Sequence, residues 1–384
     1  MGLIQTATAS IPFNRPFTTG KEYDYIRQAI ENGQVSGDGP FTRKCQKLLE
    51  EILGVPKVLL TTSCTDALEL SALLLDIRPG DEVLVPSFTF VSTVNAFVLR
   101  GARPVFIDIR PDTLNLDESQ LALAIGPNTR AIVPVHYAGV GCEMNAILEL
   151  AGCFDIPVVE DNAHGLFGRF RGRNLGTLGA LATLSFHETK NISCGEGGAL
   201  LINDSRLTGR AEILREKGTN RSRFFRGQVD KYTWVDVGSS FLPSDILAAF
   251  LYAQLENREA IQGTRRRIWN FYADHLSRWA REAGALLPKV PAHCEQPYHM
   301  FYMLMPTLEA RDALIAHLKR HGILSVFHYQ PLHLSEMGRI CAAREPYCPV
   351  TEQVSERLVR LPFFNGLAED DQAQIVECIH GFRC

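Results

Sequence analysis

Residues 58–67 read Val58-Leu59-Leu60-Thr61-Thr62-Ser63-Cys64-Thr65-Asp66-Ala67, an apolar run that passes through a hydroxylic turn into a helical pattern. Three apolar residues without polar alternation suit a strand covered on both faces. Apolar runs recur at 82–85, 104–107, 131–135, 157–159, 183–186 and 199–202. Helical patterns at 67–75, 94–99 and 144–153 lie between them. That alternation predicts an α/β fold with a mostly parallel sheet. Ligands of such sheets sit beyond the carboxyl ends of the strands, so the residues after each run carry the functional information.

A second pattern starts near Asp245. Residues 246–255 and 265–279 read as helices, 299–305 as a strand, 310–321 as a helix, 323–328 as a strand and 369–380 as a closing helix. We expect a large domain over 1–255 and a smaller α+β domain over 256–384, since 384 residues exceed one ordinary core.

Composition narrows the function. The formal charge of −4, from 39 Lys and Arg against 43 Asp and Glu, argues against nucleic acid as a partner. No apolar run approaches the ~20 residues that cross a bilayer, so no membrane span is expected. Residues 1–18 lack a basic segment followed by an apolar one, so no leader peptide is read there. The ten cysteines show no Cys-x-x-Cys or Cys/His metal spacing. They read as reduced thiols of a cytoplasmic protein without metal, with Cys378 and Cys384 incidental.

Four strand ends carry chemistry. Ser185-Phe186-His187-Glu188-Thr189-Lys190 precedes the turn Gly195-Glu196-Gly197-Gly198. A lysine partly desolvated there can lose its proton and attack an aldehyde, although most lysines are surface charges. Val158-Val159-Glu160-Asp161-Asn162-Ala163-His164 ends an apolar run in two acids. Asp161 can pair with a protonated pyridine nitrogen or cap a following helix. His164 can hydrogen-bond a phenolic oxygen or be a structural histidine. Ser63, Cys64 and Thr65 open a helix whose amides and dipole favour an anion, and Ser63 or Thr65 can also cap it. Phe90, after the run at 82–85, can stack on a planar ring or belong to the core.

In order, these are a phosphate turn, an aromatic, an acid and a lysine. Together they resemble fold type I pyridoxal-phosphate enzymes, of aspartate-aminotransferase-like fold. More narrowly, the chain resembles the nucleotide-sugar aminotransferases of the DegT/DnrJ/EryC/StrS family. The likeness runs from Ile11-Pro12-Phe13-Asn14 to Leu361-Pro362-Phe363. It includes Gly37-Asp38-Gly39-Pro40, Val135-His136-Tyr137-Ala138-Gly139 and His328-Tyr329. The resemblance implies pyridoxal 5′-phosphate as cofactor, bound covalently by Lys190. It implies Asp161 at the pyridine nitrogen, Phe90 on the ring, Cys64, Thr65 and Ser185 at the phosphate, and His164 at the phenolic oxygen. Ser240 stands where many relatives carry an asparagine that reaches across a homodimer to the other phosphate; serine is shorter.

The stretch Arg215-Glu216-Lys217-Gly218-Thr219-Asn220-Arg221, continued by Phe225-Arg226-Gly227-Gln228, is similar to members that aminate C4 of a dTDP-sugar. That implies L-glutamate as donor, 2-oxoglutarate as its product, and dTDP-4-keto-6-deoxyglucose as acceptor. The product would be the 4-amino-4,6-dideoxygalactose nucleotide of bacterial surface polysaccharide such as enterobacterial common antigen. The basic run Arg215, Lys217, Arg221, Arg223 and Arg226 is either a solvated face or a clamp for diphosphate or carboxylate. A 3-keto-sugar aminotransferase would share the cofactor residues. A sugar dehydratase of the family carries histidine in place of the lysine, and a regulator would need a DNA-binding module of ~60 residues that the chain does not have.

Overall fold

The computed structural model describes residues 11–383, so Cys384 and most of the N-terminal stretch read for a leader lie outside the described residues. Seven strands form the main sheet: β1 (Lys57–Thr61), β2 (Glu82–Pro86), β3 (Arg103–Ile107), β4 (Thr129–Ile132), β5 (Val159–Asp161), β6 (Leu181–Ser185) and β7 (Gly198–Ile202). Ladders give β3-β2-β4 and β5-β6-β7-β1. Single bridges Ile132–Val158 and Val135–Asp161 join the halves through β4 and β5. Only β7 runs against its neighbours.

Helices cover both faces, which is why the strands read as continuous apolar runs. On β1, Leu59 enters one core and Val58 and Leu60 another. The first core takes α3 (Cys64–Leu74) and α4 (Val91–Val98). The other takes α1 (Lys21–Glu31), α2 (Pro40–Leu53) and, further along the chain, α6 (Asp245–Glu256). Between β4 and β5, α5 (Met144–Cys153) makes the crossover.

The reversed strand shapes the site. Gly198 opens β7 opposite both Thr61, the last residue of β1, and Ser185, the last of β6. A Cβ on Gly198 would lie 2.3 Å from the Ser63 carbonyl carbon and 2.4 Å from the Cys64 amide nitrogen. Only glycine lets β7 start against the turn after β1. Gly195, with φ +87°, reverses the chain just before it.

A third core, in the C-terminal part, gathers Ile268, Tyr272 and Leu276 of α7 (Arg258–Ala283), Met303 of β8 (Tyr302–Leu304), Leu314 and Leu318 of α8 (Leu308–Arg320), Val359 of β9 (Leu358–Arg360) and Ile375 and Ile379 of α9 (Glu369–His380). Ile11 joins it from the other end of the chain. Two strand expectations shrink here. The stretch 299–305 pairs only over Tyr302–Leu304, because Arg265 takes the carbonyls of Tyr298 and His299. The stretch 323–328 makes single bridges, Ile323 to Ile11 and Val326 to Arg360, and no ladder. No helix among the described residues is long and apolar enough to cross a membrane.

Candidate active site

A cavity of about 570 Å³ opens beyond the carboxyl ends of the sheet. Cys64, Thr65, Phe90, Asp161, His164, Ser185 and Lys190 all line it. Ser240 does not; it is exposed and bridges to Glu216.

Lys190 ends a turn folded tightly against the glycines. The Phe186 and Glu188 amides donate to the carbonyls of Gly197 and Gly195, each at 2.8 Å, and the Lys190 amide donates to His187 at 2.9 Å. The Lys190 side chain has no hydrogen-bond partner among the described residues. Burial pushes the ammonium down to about 8; Cys64 and Asp161 oppose that and Arg360 adds to it. An amine titrating near neutrality can act as nucleophile and as base.

Asp161 closes β5 and is 4% exposed. Its Oδ2 accepts from Thr93 Oγ1 at 2.7 Å and its Oδ1 from the Ala163 amide at 3.1 Å. Thr89 Oγ1 bonds Thr93 Oγ1 in turn, at 2.8 Å. No helix starts after Asp161, only turns, so a helix-cap role falls away. Its neighbour Glu160 faces the other way. It accepts from the amides of Gly176, Leu178 and Gly179 and meets His136 Nε2 at 2.8 Å. Burial alone would raise that carboxyl, but His136 and the amides outweigh it and hold it below the usual range. One acid of the pair thus anchors a loop and the other is presented to the cavity.

The turn between β1 and α3 fits an anion. Ser63 caps α3, accepting from the Asp66 amide at 3.0 Å. The amides of Cys64 and Thr65 find no acceptor among the described residues. Burial pushes the Cys64 thiol up to about 12, so it presents no negative charge to a phosphate. Thr65 Oγ1 bonds Ser92 Oγ at 2.8 Å. Phe90 is 57% exposed while Phe88 is 1% exposed. Phe88 is the core aromatic of this strand end, and Phe90 keeps a ring for the cavity.

The opposite wall comes from residues beside the C-terminal core, and sequence reasoning gave them no roles. His299 stacks on His164 with centroids 4.4 Å apart and 21° between planes. Its Nδ1 meets Asn191 Oδ1 at 2.9 Å, and Asn191 Nδ2 donates to the Pro297 carbonyl at 2.6 Å. The residue after Lys190 therefore ties the lysine turn to this wall. His328 Nδ1 bonds the Tyr137 hydroxyl at 3.0 Å. Burial pushes His164, His299 and His328 well below the ordinary histidine value, helped by the charges of Lys190 and Arg360. His164 Nδ1 is buried without a partner. Phe13, Tyr329 and Arg360 complete the wall.

The basic run does not line this cavity. Arg215 is buried and pairs with Asp38, Arg221 pairs with Glu216 and Arg226 with Glu212. Within this chain those three cations answer carboxylates and hold the 37–39 loop and the 212–226 segment. Cys378 also has neighbours that its spacing hid. Its ligand atom and those of His317 and His321 lie within 4.8 Å of one another. Two of the ring nitrogens there already meet backbone carbonyls.

A mainly parallel sheet with one reversed strand, an anion turn, a buried acid and a near-neutral lysine around one cavity define the aminotransferase class of architecture. The chain belongs to the DegT/DnrJ/EryC1/StrS aminotransferase family, which it matches over residues 17–380. It is 31% identical over 376 residues to an uncharacterized protein of Methanocaldococcus jannaschii, with 96% of each chain covered. Its structure is similar to that of the aminotransferase TlmJ from Streptoalloteichus hindustanus, at 32% identity and TM-score 0.88, covering 96% of this chain and 98% of that one. Spr1654 of Streptococcus pneumoniae, known in a PLP form, is similar at 26% identity and TM-score 0.88, with 96% and 97% covered. The cofactor is pyridoxal 5′-phosphate, and the residues present fit it. Unpaired amides, an open aromatic ring, an oriented carboxylate, an unpartnered imidazole nitrogen and an unpartnered amine answer the phosphate, ring, ring nitrogen, phenolic oxygen and aldehyde.

Proposed function

We propose that this protein moves the amino group of L-glutamate to C4 of dTDP-4-keto-6-deoxyglucose. The products are 2-oxoglutarate and dTDP-4-amino-4,6-dideoxygalactose. The observation that carries the amino-transfer part is Lys190 Nζ, unpartnered and near-neutral, in one cavity with the oriented Asp161 carboxylate. The sugar rests on the likeness of the 215–228 stretch to C4-aminating members of the family. Similarity to sugar aminotransferases, as some of the related structures are described, agrees with it.

When bound, pyridoxal phosphate supplies an aldehyde for amines and a ring that accepts the electron pair left on the carbon beside nitrogen. Lys190 would hold the cofactor through its Nζ, the group placed to move protons. Its Nζ then takes the proton from the donor α-carbon and, in the second half, delivers a proton to C4 of the sugar. Asp161, held by Thr93 and the Ala163 amide, keeps the ring nitrogen protonated. Cys64, Thr65 and Ser185 hold the phosphate, Phe90 covers the ring and His164 donates to the phenolic oxygen. Ser240 approaches the phosphate of a second copy in a cytoplasmic homodimer. Two unlike substrates use one site in turn, which predicts ping-pong kinetics.

The test is incubation with glutamate and dTDP-4-keto-6-deoxyglucose, followed by NMR of the product. Small ring couplings at H4 are expected for an axial amine. Large couplings would show the gluco epimer, and product only from a 3-keto isomer would move the enzyme to that class.

A further inference from the structure

Three metal-ligating side chains converge beside the C-terminal core, and none of them lines the active-site cavity. His317 stands in the last turn of α8 and His321 at its C-terminal cap, four residues apart and so on one face of the helix. Cys378 comes from α9, which packs against α8. One ring nitrogen of each histidine and the Cys378 sulfur lie within 4.8 Å of one another. His317 Nε2 donates to the Cys378 carbonyl at 3.0 Å, and His321 Nδ1 donates to the His317 carbonyl at 2.9 Å. A neutral imidazole that donates through one nitrogen keeps a lone pair on the other. Histidines that hold a metal are oriented in this way, by a backbone carbonyl or carboxylate on the second nitrogen. The ring of Phe382 backs His317 at 5.5 Å. His321 is exposed while His317 and Cys378 are half-buried, so an ion has a path in from solvent.

We propose that His317, His321 and Cys378 bind one zinc-class divalent cation. Two imidazoles and a thiolate are the donor set of a borderline-soft ion, and they leave a fourth position for water. A hard cation such as magnesium asks for oxygen ligands instead. Tetrahedral ligands at about 2.0–2.3 Å from zinc stand roughly 3.3–3.8 Å from one another. The three atoms therefore need to close by at most about 1.5 Å, a movement that rotation of the exposed His321 ring can supply without moving the helices. Burial pushes the Cys378 thiol up, so it keeps its proton until the cation arrives. On binding, the S–H bond breaks, the sulfur pair goes to the metal and the proton goes to solvent. The bound ion joins the end of α8 to α9. It stabilises the folded chain, because the three ligands come together only in the fold. The inference does not rest on the amino-transfer reading, since the two sites share no residue.

The test titrates the metal-free holoenzyme with zinc in competition with a chromophoric chelator. One ion per chain is expected, with a Kd of about 1 μM or tighter for three protein ligands, and magnesium should not compete. Cys378→Ser and His321→Ala should each weaken binding at least ~30-fold, since loss of a mere orienting partner already costs about 10–100-fold. Cys153→Ser, at the exposed cysteine that ends α5, should bind like the wild type. X-ray absorption at the zinc edge should show one sulfur at about 2.3 Å beside nitrogen and oxygen at about 2.0–2.2 Å, with the sulfur lost in Cys378→Ser. Zinc at about 100 times the Kd should raise the wild-type Tm by about 3 °C and that of either ligand variant by less than half as much. Binding weaker than about 100 μM would overturn the proposal. So would a metal shell without sulfur, affinity unchanged in Cys378→Ser, or an equal loss in Cys153→Ser.

Discussion

The two walls of the cavity are built differently. The sheet-side wall is made of short contiguous strings at strand ends: Ser63 to Thr65, Asp161 to His164, Ser185 to Lys190. Ser63 is bonded within its own helix start, the Lys190 turn to the glycines before β7, and Asp161 to the Ala163 amide and to Thr93 of α4. The opposite wall is assembled from Phe13, His299, His328, Tyr329 and Arg360, which come from separate parts of the chain. On the proposed reading the first wall answers groups of fixed shape on the cofactor. On the same reading the second has to admit two different substrates in turn. Variants of the first wall should therefore change cofactor affinity or kcat with every substrate. Variants of the second should separate donor from acceptor.

After Lys190 itself, the largest effect expected among point changes on the sheet side is at Asp161. Asp161→Asn keeps the hydrogen bond to Thr93 but removes the charge that favours a protonated ring nitrogen. We expect kcat to fall at least ~100-fold, roughly 2.7 kcal/mol of barrier, in both half-reactions alike. Stopped-flow measurement of each half-reaction checks it. Near wild-type rates would make the acid a structural residue.

A smaller effect should follow from Gly198→Ala. The new Cβ would lie 2.3–2.4 Å from Ser63 and Cys64 backbone atoms, so the anion turn must move. Overpacking of this kind costs about 1–3 kcal/mol. We expect cofactor affinity, measured by titrating apo-protein, to drop about tenfold or more. Unchanged affinity would show that the turn does not carry the phosphate.

The mildest test is a pH profile. Lys190 is pushed down from the ordinary 10.5 to about 8, so its free-base fraction is small at pH 7 and nearly complete at pH 9. The rate at which apo-protein captures pyridoxal phosphate covalently should rise roughly tenfold from pH 7 to 9 and then level. A rate still climbing through pH 10 would mean an ordinary solvated lysine.

The same contrast explains what was legible in the sequence. Apolar runs covered on both faces announce themselves, so the seven strands, their order of use and the residues after them could be read before any coordinates. Phe90 could not be told from a core aromatic until Phe88 was seen to fill the core. Asp161 was read as a partner for a pyridine nitrogen, but what turns its neighbour Glu160 away, the loop at 176–179 that Glu160 holds, has no local signal. Arg360 was missed although the next residue, Leu361, was already part of the resemblance. An arginine at the end of a three-residue strand has no local pattern. Its place on the cavity shows only in three dimensions, where it meets Phe13, some 350 residues earlier in the chain. The basic run at 215–226 was left with two readings, and charge clustering in sequence does not reveal that Asp38, Glu216 and Glu212 pair with Arg215, Arg221 and Arg226.

The central claim is that one lysine, Lys190, carries the cofactor and moves the proton. The most direct measurement is borohydride reduction of the holoenzyme followed by peptide mapping. The account predicts that the reduced cofactor is fixed to the peptide containing Lys190 alone, and that Lys190→Ala loses at least ~10⁴-fold in kcat, the upper range for a lost proton-transfer group. A cofactor fixed to any other lysine, or turnover surviving in Lys190→Ala, would contradict it.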